Sequence, residues 1–527
     1  MSPLLQLRIS FVFVMILSSL TINAQIFNLS WADETKMKYD FDDAVHLDDG
    51  EMLVLKLKEK KNFGRLPTSI PVLMLVNDKK ETIRENELPV GENYPVFVGL
   101  EKLGKHIYLV YENFDFLKRI TTVYFIEINL SDLTYGTKKE ISSYKGQRMQ
   151  YGTPYKFSLS PDTSKFMVFV ELPQKLRNNE QFSITVFDNA LKEIWNQEVE
   201  LPVRYKFITI YDQEISNEGN VFVSLKQYEK ELSGKKSGED EDGFSPYSFK
   251  IFSFSKDRKQ NKEVLLKLDG KFVHGAKLAY NENGTVTAAG LYKNVHNGSI
   301  SGAFFTSFEA VNPVIAKPKI VPFPKDLIVQ MIKDGFGGKK SDPGLSTYFK
   351  TKHILIRNNG SVDMISEYFK EIEFVTTNIV SGNRSIADNT SFGSIINVNI
   401  EESGSVVFTR IPKNQGVLGI EPYAGYYPLI LNDKLIIVYN DSKNSLTRDL
   451  GQKPSVINNY KKSVLIAGII DEKGILTRQS IYENNDEDFI TVPRHMSKIS
   501  ESNYLITANY NKLTKKRTRY GILKVTN

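Results

Sequence analysis

The sequence predicts an all-β protein, a single β-propeller made of four-stranded blades, on three observations. Short apolar runs, each about as long as a strand, alternate with turn sequences along almost the whole 527-residue chain. The pattern recurs at a period of about sixty residues, which indicates a repeat architecture. No linker separates blocks of the size of a β-sandwich, so a chain of two or three sandwiches is the less favoured alternative. We expect eight blades, with seven as the fallback.

The most regular unit is residues 155–202. Four apolar runs lie in it, and tight turn sequences at residues 160–164 and 188–190 join the outer pairs, while a longer polar loop joins the middle two. A single sheet of four strands leaves an apolar face exposed to water. The unit therefore needs copies of itself to pack against.

Six further units of the same kind are found along the chain. They occupy residues 39–89, 94–142, 208–268, 276–323, 353–412 and 426–482. Pairs such as Asn283-Gly284 and Asn359-Gly360 supply the hairpin turns. Between the copies at residues 276–323 and 353–412, residues 325–335 have apolar residues at helical spacing before Gly335, which predicts one short inserted helix.

The chain ends supply the last blade. Residues 495–510 and 517–525 provide three strands, and residues 26–31 have no partner in the first unit. We expect these N-terminal residues to be the missing fourth strand. A ring closed by strands from both ends has no exposed sheet edge.

The first residues predict export. Arg8, an apolar run over residues 9–22 and Ala24 have the three-part build of a signal peptide. The expected domains are a signal peptide at residues 1–24 and a propeller at residues 25–527, with the mature protein in the periplasm or on the cell surface. No second apolar stretch is long enough to predict a transmembrane anchor.

The amino-acid composition bears on which classes of partner and cofactor the protein could bind. The net charge of +6 is small for this length, so it neither requires nor excludes a polyanion, and export disfavours nucleic acid. There is no cysteine, and the six histidines show no metal-ligand spacing, so we expect neither a metal nor another cofactor.

Three segments of the sixth and seventh units resemble a known family. They are residues 357–369, 411–415 and 438–444, and they resemble uncharacterised exported proteins of Bacteroidota over roughly the last third of the chain. Val407-Phe408 stands where that family pattern has a tryptophan. The resemblance implies a diderm host and a propeller-like fold, and it implies no activity.

Candidate ligand-binding residues stand just before, or at the start of, the innermost strands, where a propeller brings loops together around its channel. Such aromatic and basic side chains would suit a sugar, a carboxylate or a peptide. The alternative is that the tyrosines seal the blade interfaces. The candidates are Tyr94, Tyr151, Arg204, Tyr205, His274, Tyr426, Tyr427, Arg494 and His495.

A dense basic stretch on the last blade is a candidate contact for an anionic envelope surface, with a solvated hairpin as the alternative. It comprises Lys512, Lys515, Lys516, Arg517 and Arg519. No nucleophile or phosphate-binding motif is present, and Asp363 and Glu367 are the only carboxylates we can offer for acid/base chemistry.

Three functions follow as hypotheses. The first is a non-enzymatic exported binding module that presents its funnel or face to a protein, peptide or glycan. The second is a propeller-type glycan hydrolase or lyase. The third is a scaffold of an envelope complex, docked through the loop at residues 232–248 and the helix at residues 325–335.

Overall fold

A computed structural model describes residues 26–32, 40–47, 50–60, 68–77, 79, 81–91, 95–145, 155–172, 178–229, 247–257, 261–377, 384–401, 403–418, 421–484, 489–512 and 515–526. The expected signal peptide, Tyr94, Tyr151 and most of the loop at residues 232–248 lie outside these ranges. Within them the chain forms eight separate antiparallel sheets, as predicted.

Strand β1 (Ile26–Trp31) belongs to the last blade, and the following strands build blades 1 to 4 in chain order. The strands of blades 1 and 2 are β2 (Asp40–His46), β3 (Met52–Lys60), β4 (Thr68–Val76), β5 (Thr82–Glu87), β6 (Pro95–Leu103), β7 (His106–Asp115), β8 (Ile120–Asn129) and β9 (Thr134–Lys145). Those of blades 3 and 4 are β10 (Tyr155–Leu159), β11 (Lys165–Glu171), β12 (Asn179–Asp188), β13 (Glu193–Arg204), β14 (Ile208–Ile215), β15 (Val221–Tyr228), β16 (Tyr247–Phe254) and β17 (Lys262–Leu266).

Blades 5 to 8 continue in the same way, with short extra strands in blades 6 and 8. The strands of blades 5 and 6 are β18 (Phe272–Tyr280), β19 (Thr285–Lys293), β20 (Ile300–Glu309), β21 (Lys319–Pro322), β22 (Phe349–Ile356), β23 (Val362–Thr377), β24 (Arg384–Ile400), β25 (Val406–Ile411) and β26 (Gln415–Leu418). Those of blades 7 and 8 are β27 (Tyr426–Leu431), β28 (Lys434–Ser442), β29 (Ser463–Ile470), β30 (Leu476–Glu483), β31 (Phe489–Thr491), β32 (Ser497–Lys498), β33 (Asn503–Lys512) and β34 (Lys515–Thr526).

The ring closes as the sequence predicts. β1 pairs antiparallel with β34, from Ile26 opposite Thr526 to Trp31 opposite Gly521, and so supplies the outermost strand of blade 8. The indole of Trp31 also stacks on the guanidinium of Arg519 at 4.3 Å. Both chain ends are therefore held in one sheet, which removes an open edge.

The strand order defines two faces of the ring. Within a blade the strands run antiparallel from the channel outward, so the connections between blades lie at the same end as the connections between second and third strands. We call this end the upper face. The tight turns of the other hairpins lie on the lower face, where Asn432 and Asp433 have φ of 48° and 55° in a two-residue turn.

Apolar layers between neighbouring blades form the core. Between blades 3 and 4, Phe169 and Phe182 pack with Val223 and Phe254. Trp195 is buried in the same layer, and its indole N–H donates to the Gly219 carbonyl at 3.0 Å. Each blade thus buries both of its faces against its neighbours, which one sheet alone cannot do.

The predicted helix is present as α1 (Lys325–Asp334) between blades 5 and 6. Leu327 and Met331 are buried against the Phe336 and Phe349 side chains. Gly335 ends the helix with φ of 94°, a left-handed conformation that favours glycine. Short 3-10 turns lie at Tyr205–Phe207, Glu421–Tyr423, Lys443–Leu446, Tyr460–Lys462 and Pro493–His495.

Candidate ligand-binding site

Among the described residues, five innermost strands carry a β-bulge near their upper ends, and three of these strands, β14, β18 and β22, belong to consecutive blades. The extra residue is Tyr211 in β14, His274 in β18 and Lys352 in β22, because each falls between two successive pairs of the register with the second strand. A bulge turns its extra side chain out of the regular alternation of the strand. Three consecutive blades therefore redirect one side chain each at the same level of the ring.

These three side chains line one cavity, the mouth cavity, at the upper end of the channel. It has a volume of about 400 Å³. The lining is completed by residues of the same three strands and of the segment before β22, namely Thr209, Ile210, Gly275, Ala276, Lys277, Thr347, Lys350 and Thr351. Its size suits a small ligand or one side chain of a larger partner.

The mouth cavity is positively charged. Lys277, Lys350 and Lys352 all line it, and among the described residues the one carboxylate that forms an ion pair with any of them is Asp212, whose Oδ1 lies 2.6 Å from Lys277 Nζ. The Nζ of Lys352 also lies over the Phe369 ring at 4.5 Å. Burial lowers the pKa of Lys352, and Lys350, Lys277 and Lys413 lower it further, while Glu367 opposes them. An anion in the cavity would relieve this repulsion among the lysines.

Asp212 also joins blade 4 to blade 5. Its Oδ2 accepts a hydrogen bond from Leu278 N at 2.8 Å, and two residues further along β14 Glu214 accepts one from Tyr280 N at 3.2 Å. Burial raises the pKa of Glu214 to about 7, and the charge of Asp212 adds to that effect. We call the set Asp212, Lys277 and Leu278 the basic staple.

A second staple joins blades 1 and 2. Asp43 Oδ2 accepts from Leu100 N at 2.7 Å, and both β2 and β6 are bulged beside this contact. Gly99 leaves room for the carboxylate. Glu101 follows Leu100 in β6, and burial, with the charge of Asp43, raises its pKa to about 7. We call Asp43, Leu100 and Glu101 the acidic staple.

His353 lies below the mouth cavity in β22. Its ring makes an edge contact with Tyr426 at 5.5 Å. Burial lowers the pKa of His353 to about 4, with Lys277 and Lys352 acting in the same direction. The imidazole is therefore neutral near pH 7, and it adds no positive charge to the cavity.

Of the residues predicted from sequence, His274 is the one that lines the mouth cavity. It is buried, and its Nε2 lies 3.1 Å from the Phe349 carbonyl oxygen. Arg204 and Tyr205 lie on the upper face directly before β14, and Arg204 is exposed. Arg494 and His495 lie in a 3-10 turn that interrupts the innermost strand of blade 8 between β31 and β32, and His495 is exposed. The structure thus brings His274 to the cavity, leaves Arg204 and Tyr205 on the upper face of blade 4, and places Arg494 and His495 part way along the innermost strand of blade 8.

The two remaining described candidates are interface tyrosines. Tyr426 is buried in the apolar layer between blades 6 and 7, and Tyr427 packs against Tyr504 of blade 8 at 6.0 Å between ring centroids. Burial raises the pKa of both hydroxyls. Both tyrosines therefore lie in interfaces between blades, as expected if they seal these interfaces and do not bind a ligand.

The basic stretch of blade 8 forms the β33–β34 hairpin on the upper face. Lys512 pairs with Lys515 at its end, next to Lys516 and Arg517. The prediction that Arg519 contacts an anionic surface is wrong. Arg519 is buried, and its guanidinium stacks on the rings of Trp31, Phe489 and Tyr482. It therefore packs the last blade rather than facing an external surface.

Asp363 and Glu367, the carboxylates proposed for acid/base chemistry, are both held in buried ion pairs. Asp363 accepts from Arg357 Nε at 2.6 Å and Nη2 at 2.9 Å, and Glu367 Oε1 lies 2.6 Å from Lys413 Nζ. Lys413 also donates to Gln415. These residues come from the segments that carry the family resemblance, and here they form polar links inside blades 6 and 7.

Sequence reasoning missed Tyr211, Lys277, Lys350 and Lys352. A signal for two of them exists in Lys350-Thr351-Lys352, where two lysines alternate with threonine at the start of a strand that then becomes apolar. Among the described residues no cluster of three or more metal-ligating side chains occurs, and no described helix is long and apolar enough to cross a membrane.

No family model matches this sequence, and no curated protein matches it either. Solved structures resemble it at 8 to 10% identity. They include the β-propeller domain of the Trilobed protease from Pyrococcus furiosus (8% identity, 85% of this chain and 97% of that chain, TM-score 0.37). The WD40 domain of SCAP from fission yeast (8%, 96% and 95%, 0.37) and an oligogalacturonate lyase in complex with manganese (9%, 83% and 98%, 0.36) are also similar.

Proposed function

We propose that the protein is an exported binding module whose mouth cavity receives a carboxylate-bearing side chain or chain end of a peptide or protein partner. The observation that carries the proposal is the convergence of Lys277, Lys350 and Lys352 on a cavity of about 400 Å³ framed by three bulged strands. Charge-assisted hydrogen bonds from lysine to carboxylate are stronger than neutral ones, and bulges commonly shape such sites.

A peptide or protein partner is favoured over a glycan by the rest of the upper face. The β7–β8 turn, which lies on that face, presents Phe116 at 56% and Leu117 at 97% exposure. Exposed apolar residues on the same face as a charged recess are typical of surfaces that bind protein. The mouth cavity itself offers one aromatic side chain, Tyr211, for stacking on a sugar.

The export predicted from the sequence is consistent with the same proposal. The signal-peptide pattern at residues 1–24 and the absence of cysteine are consistent with a periplasmic or cell-surface location in a diderm bacterium. There the propeller would meet other envelope proteins, so affinity capture from the native envelope would identify the partner.

A glycan hydrolase or lyase is the second candidate because Asp212 and Glu214 lie two residues apart on one strand beside the cavity, and burial raises the pKa of Glu214 to about 7. Two carboxylates in different protonation states are what acid/base catalysis needs. Both, however, already accept backbone N–H groups of blade 5, which favours a structural role.

The experiment compares binding of acidic peptides, and of matched peptides with glutamine for glutamate, to wild type and to the K350Q/K352Q double variant. Removing two lysines from the cavity is expected to weaken acidic-peptide binding by about 100-fold, roughly tenfold for each charged hydrogen bond lost. The matched control is K473Q, which removes an exposed lysine from the β29–β30 turn on the lower face. Equal binding by the double variant and wild type would rule the proposal out, and turnover of a polysaccharide that is lost in E214Q would favour the enzyme.

A further inference from the structure

A buried guanidinium lies between blades 6 and 7, away from the mouth cavity. Arg448 follows the 3-10 turn Lys443–Leu446 after β28, and its side chain is 8% exposed. Its Nε and Nη2 are buried and have no hydrogen-bond partner among the described residues. These two nitrogens form one edge of the guanidinium, the edge that binds a carboxylate with two parallel hydrogen bonds.

Two other buried arginines, both in blade 6, show which group binds to this edge of a guanidinium. Arg357 donates from Nε and Nη2 to Asp363, at 2.6 and 2.9 Å. Arg410 donates from the same two nitrogens to Asp334, at 2.6 and 2.8 Å. In each case a planar group with two acceptor oxygens fills the edge. Arg448 is the third member of the set, and among the described residues no carboxylate lies within hydrogen-bond distance of its Nε or Nη2.

Further buried polar atoms surround the Arg448 edge. The nearest is Asp441 Oδ2, at 4.0 Å from Arg448 Nη2, which is too long for a hydrogen bond. Asp441 Oδ2, Tyr439 OH and Arg478 Nη1 are themselves buried without a partner among the described residues. Arg448 and Arg478 both act on the carboxyl of Asp441 and on the hydroxyl of Tyr439, so the four side chains form one cluster.

The charges of the cluster do not balance. Arg410 and Asp334 neutralise each other, which leaves Arg448 and Arg478 against Asp441. One positive charge is in excess. A buried charge without compensation costs several kcal/mol, so a single negative charge at this place would be stabilising.

We infer that the Arg448 edge binds a small planar monoanion with two acceptor oxygens, and that hydrogencarbonate fits the site best. Two of its oxygens would accept from Arg448 Nε and Nη2, as the carboxylates of Asp363 and Asp334 do for their arginines. Its hydroxyl would donate to Asp441 Oδ2. An oxygen at hydrogen-bond distance from both Arg448 Nη2 and Asp441 Oδ2 makes an angle of about 90° across the 4.0 Å gap, so one atom can serve both.

The site would fix the segment between β28 and β29 to the body of blade 7. Arg478 Nη2 already donates to the Arg448 carbonyl at 3.0 Å, and Arg410 donates to the carbonyls of Leu450 and Gln452 in the same segment. An anion held by Arg448 would add the side chain to these backbone links. The expected consequence is an anion-dependent thermal stability of the whole propeller.

The test measures the melting temperature against sodium hydrogencarbonate, formate and nitrate at pH 8 and constant ionic strength. Wild type should show a saturable rise on the order of 1 °C at ten times Kd, largest for hydrogencarbonate. R448Q should lose the rise. R84Q is the matched control, since Arg84 lies in β5 on another blade and is exposed, and it should keep the rise. No saturable change in wild type, or the same change in R448Q, overturns the inference.

A second measurement covers the case in which R448Q does not fold. Crystals of the wild-type protein soaked in sodium nitrate should show density for a planar four-atom ion on the Nε and Nη2 edge of Arg448. Density of the size of one water molecule there would overturn the inference, because water would then satisfy the cluster by itself.

Discussion

The acidic staple of blades 1 and 2 and the basic staple of blades 4 and 5 share one contact and differ in the charge of the residue next to it. In both, an aspartate of a bulged innermost strand accepts the backbone N–H of a leucine in the next blade, at 2.7 Å for Asp43 and 2.8 Å for Asp212. Glu101 follows that leucine in the acidic staple, whereas Lys277 precedes it in the basic staple. The first staple therefore sets two carboxyls against each other, and the second pairs opposite charges.

One part of each staple stabilises the ring, and another part is available to bind a ligand. The hydrogen bond from aspartate to backbone is common to both staples, so it belongs to the fold. The lysine occurs only where the cavity opens, beside Lys350 and Lys352. Ligand binding by this propeller would then depend on the charge of the residue next to a repeated structural contact, and not on that contact itself.

The largest effect is expected for Gly99→Ala. Gly99 has φ of 151°, and a Cβ there would lie 2.5 Å from Asp43 Oδ2, so the substitution strains the backbone and displaces the carboxylate of the acidic staple. We expect a loss of about 4 kcal/mol in the free energy of unfolding. Urea unfolding monitored by tryptophan fluorescence measures it, and a loss below about 1 kcal/mol would show that the staple contributes little.

The next effect is the difference between Asp212→Ala and Asp43→Ala. Asp212→Ala leaves Lys277 without its carboxylate and Leu278 N without an acceptor, at a cost of about 3 kcal/mol. Asp43→Ala also removes an acceptor, but it relieves the repulsion on Glu101, so the cost should be about 1 kcal/mol. Equal costs for the two variants in the same unfolding assay would contradict the comparison.

Glu101→Gln should stabilise the protein at pH 8 by roughly 2 kcal/mol. The folded pKa of Glu101 is raised to about 7 from an ordinary 4.5, so the wild-type protein loses stability as pH rises from about 4.5 to 7. Glutamine does not ionise and avoids that loss. Unfolding free energies of both proteins at pH 4 and pH 8 check this, and a gain at pH 4 as large as that at pH 8 would exclude titration of Glu101 as the cause.

Gly275→Ala should have the smallest effect on stability, about 1 kcal/mol, because its Cβ would meet only the edge of the Tyr211 ring at 3.1 Å, and that ring can turn away. The turned ring would enter the mouth cavity. Acidic-peptide affinity should therefore fall by more than the loss of stability suggests, and calorimetric titration of the peptide would detect it. Unchanged affinity would place the ligand elsewhere.

The blades were predictable because each is a set of local hairpins, whose turns and apolar runs are written in adjacent residues. Closure was predictable too, since residues 26–31 form a strand without a local partner, and β1 pairs with β34 as expected. The bulges were not predictable. The shift at Asp43 is linked to a contact with Leu100, 57 residues away, which no local pattern encodes.

Contacts between residues far apart in the sequence also explain why the sequence predicted only part of the candidate site. His274 was found because it stands at the start of an innermost strand, whereas Tyr426 at a similar position is buried by His353 and the apolar layer of blade 6. Position along a strand predicts the end of the ring at which a side chain lies. Whether that side chain faces the channel or the neighbouring blade depends on the bulge and on the residue across the interface.

The most direct test of the central claim is chemical footprinting of lysines in the presence of the native envelope extract. Reductive methylation followed by mass spectrometry would report the reactivity of Lys277, Lys350 and Lys352, with Lys473 on the lower face as the internal reference. Binding of the partner at the mouth cavity predicts protection of the three cavity lysines and unchanged reactivity of Lys473. Protection of Lys473, or full reactivity of the cavity lysines while a partner is bound, would contradict the account.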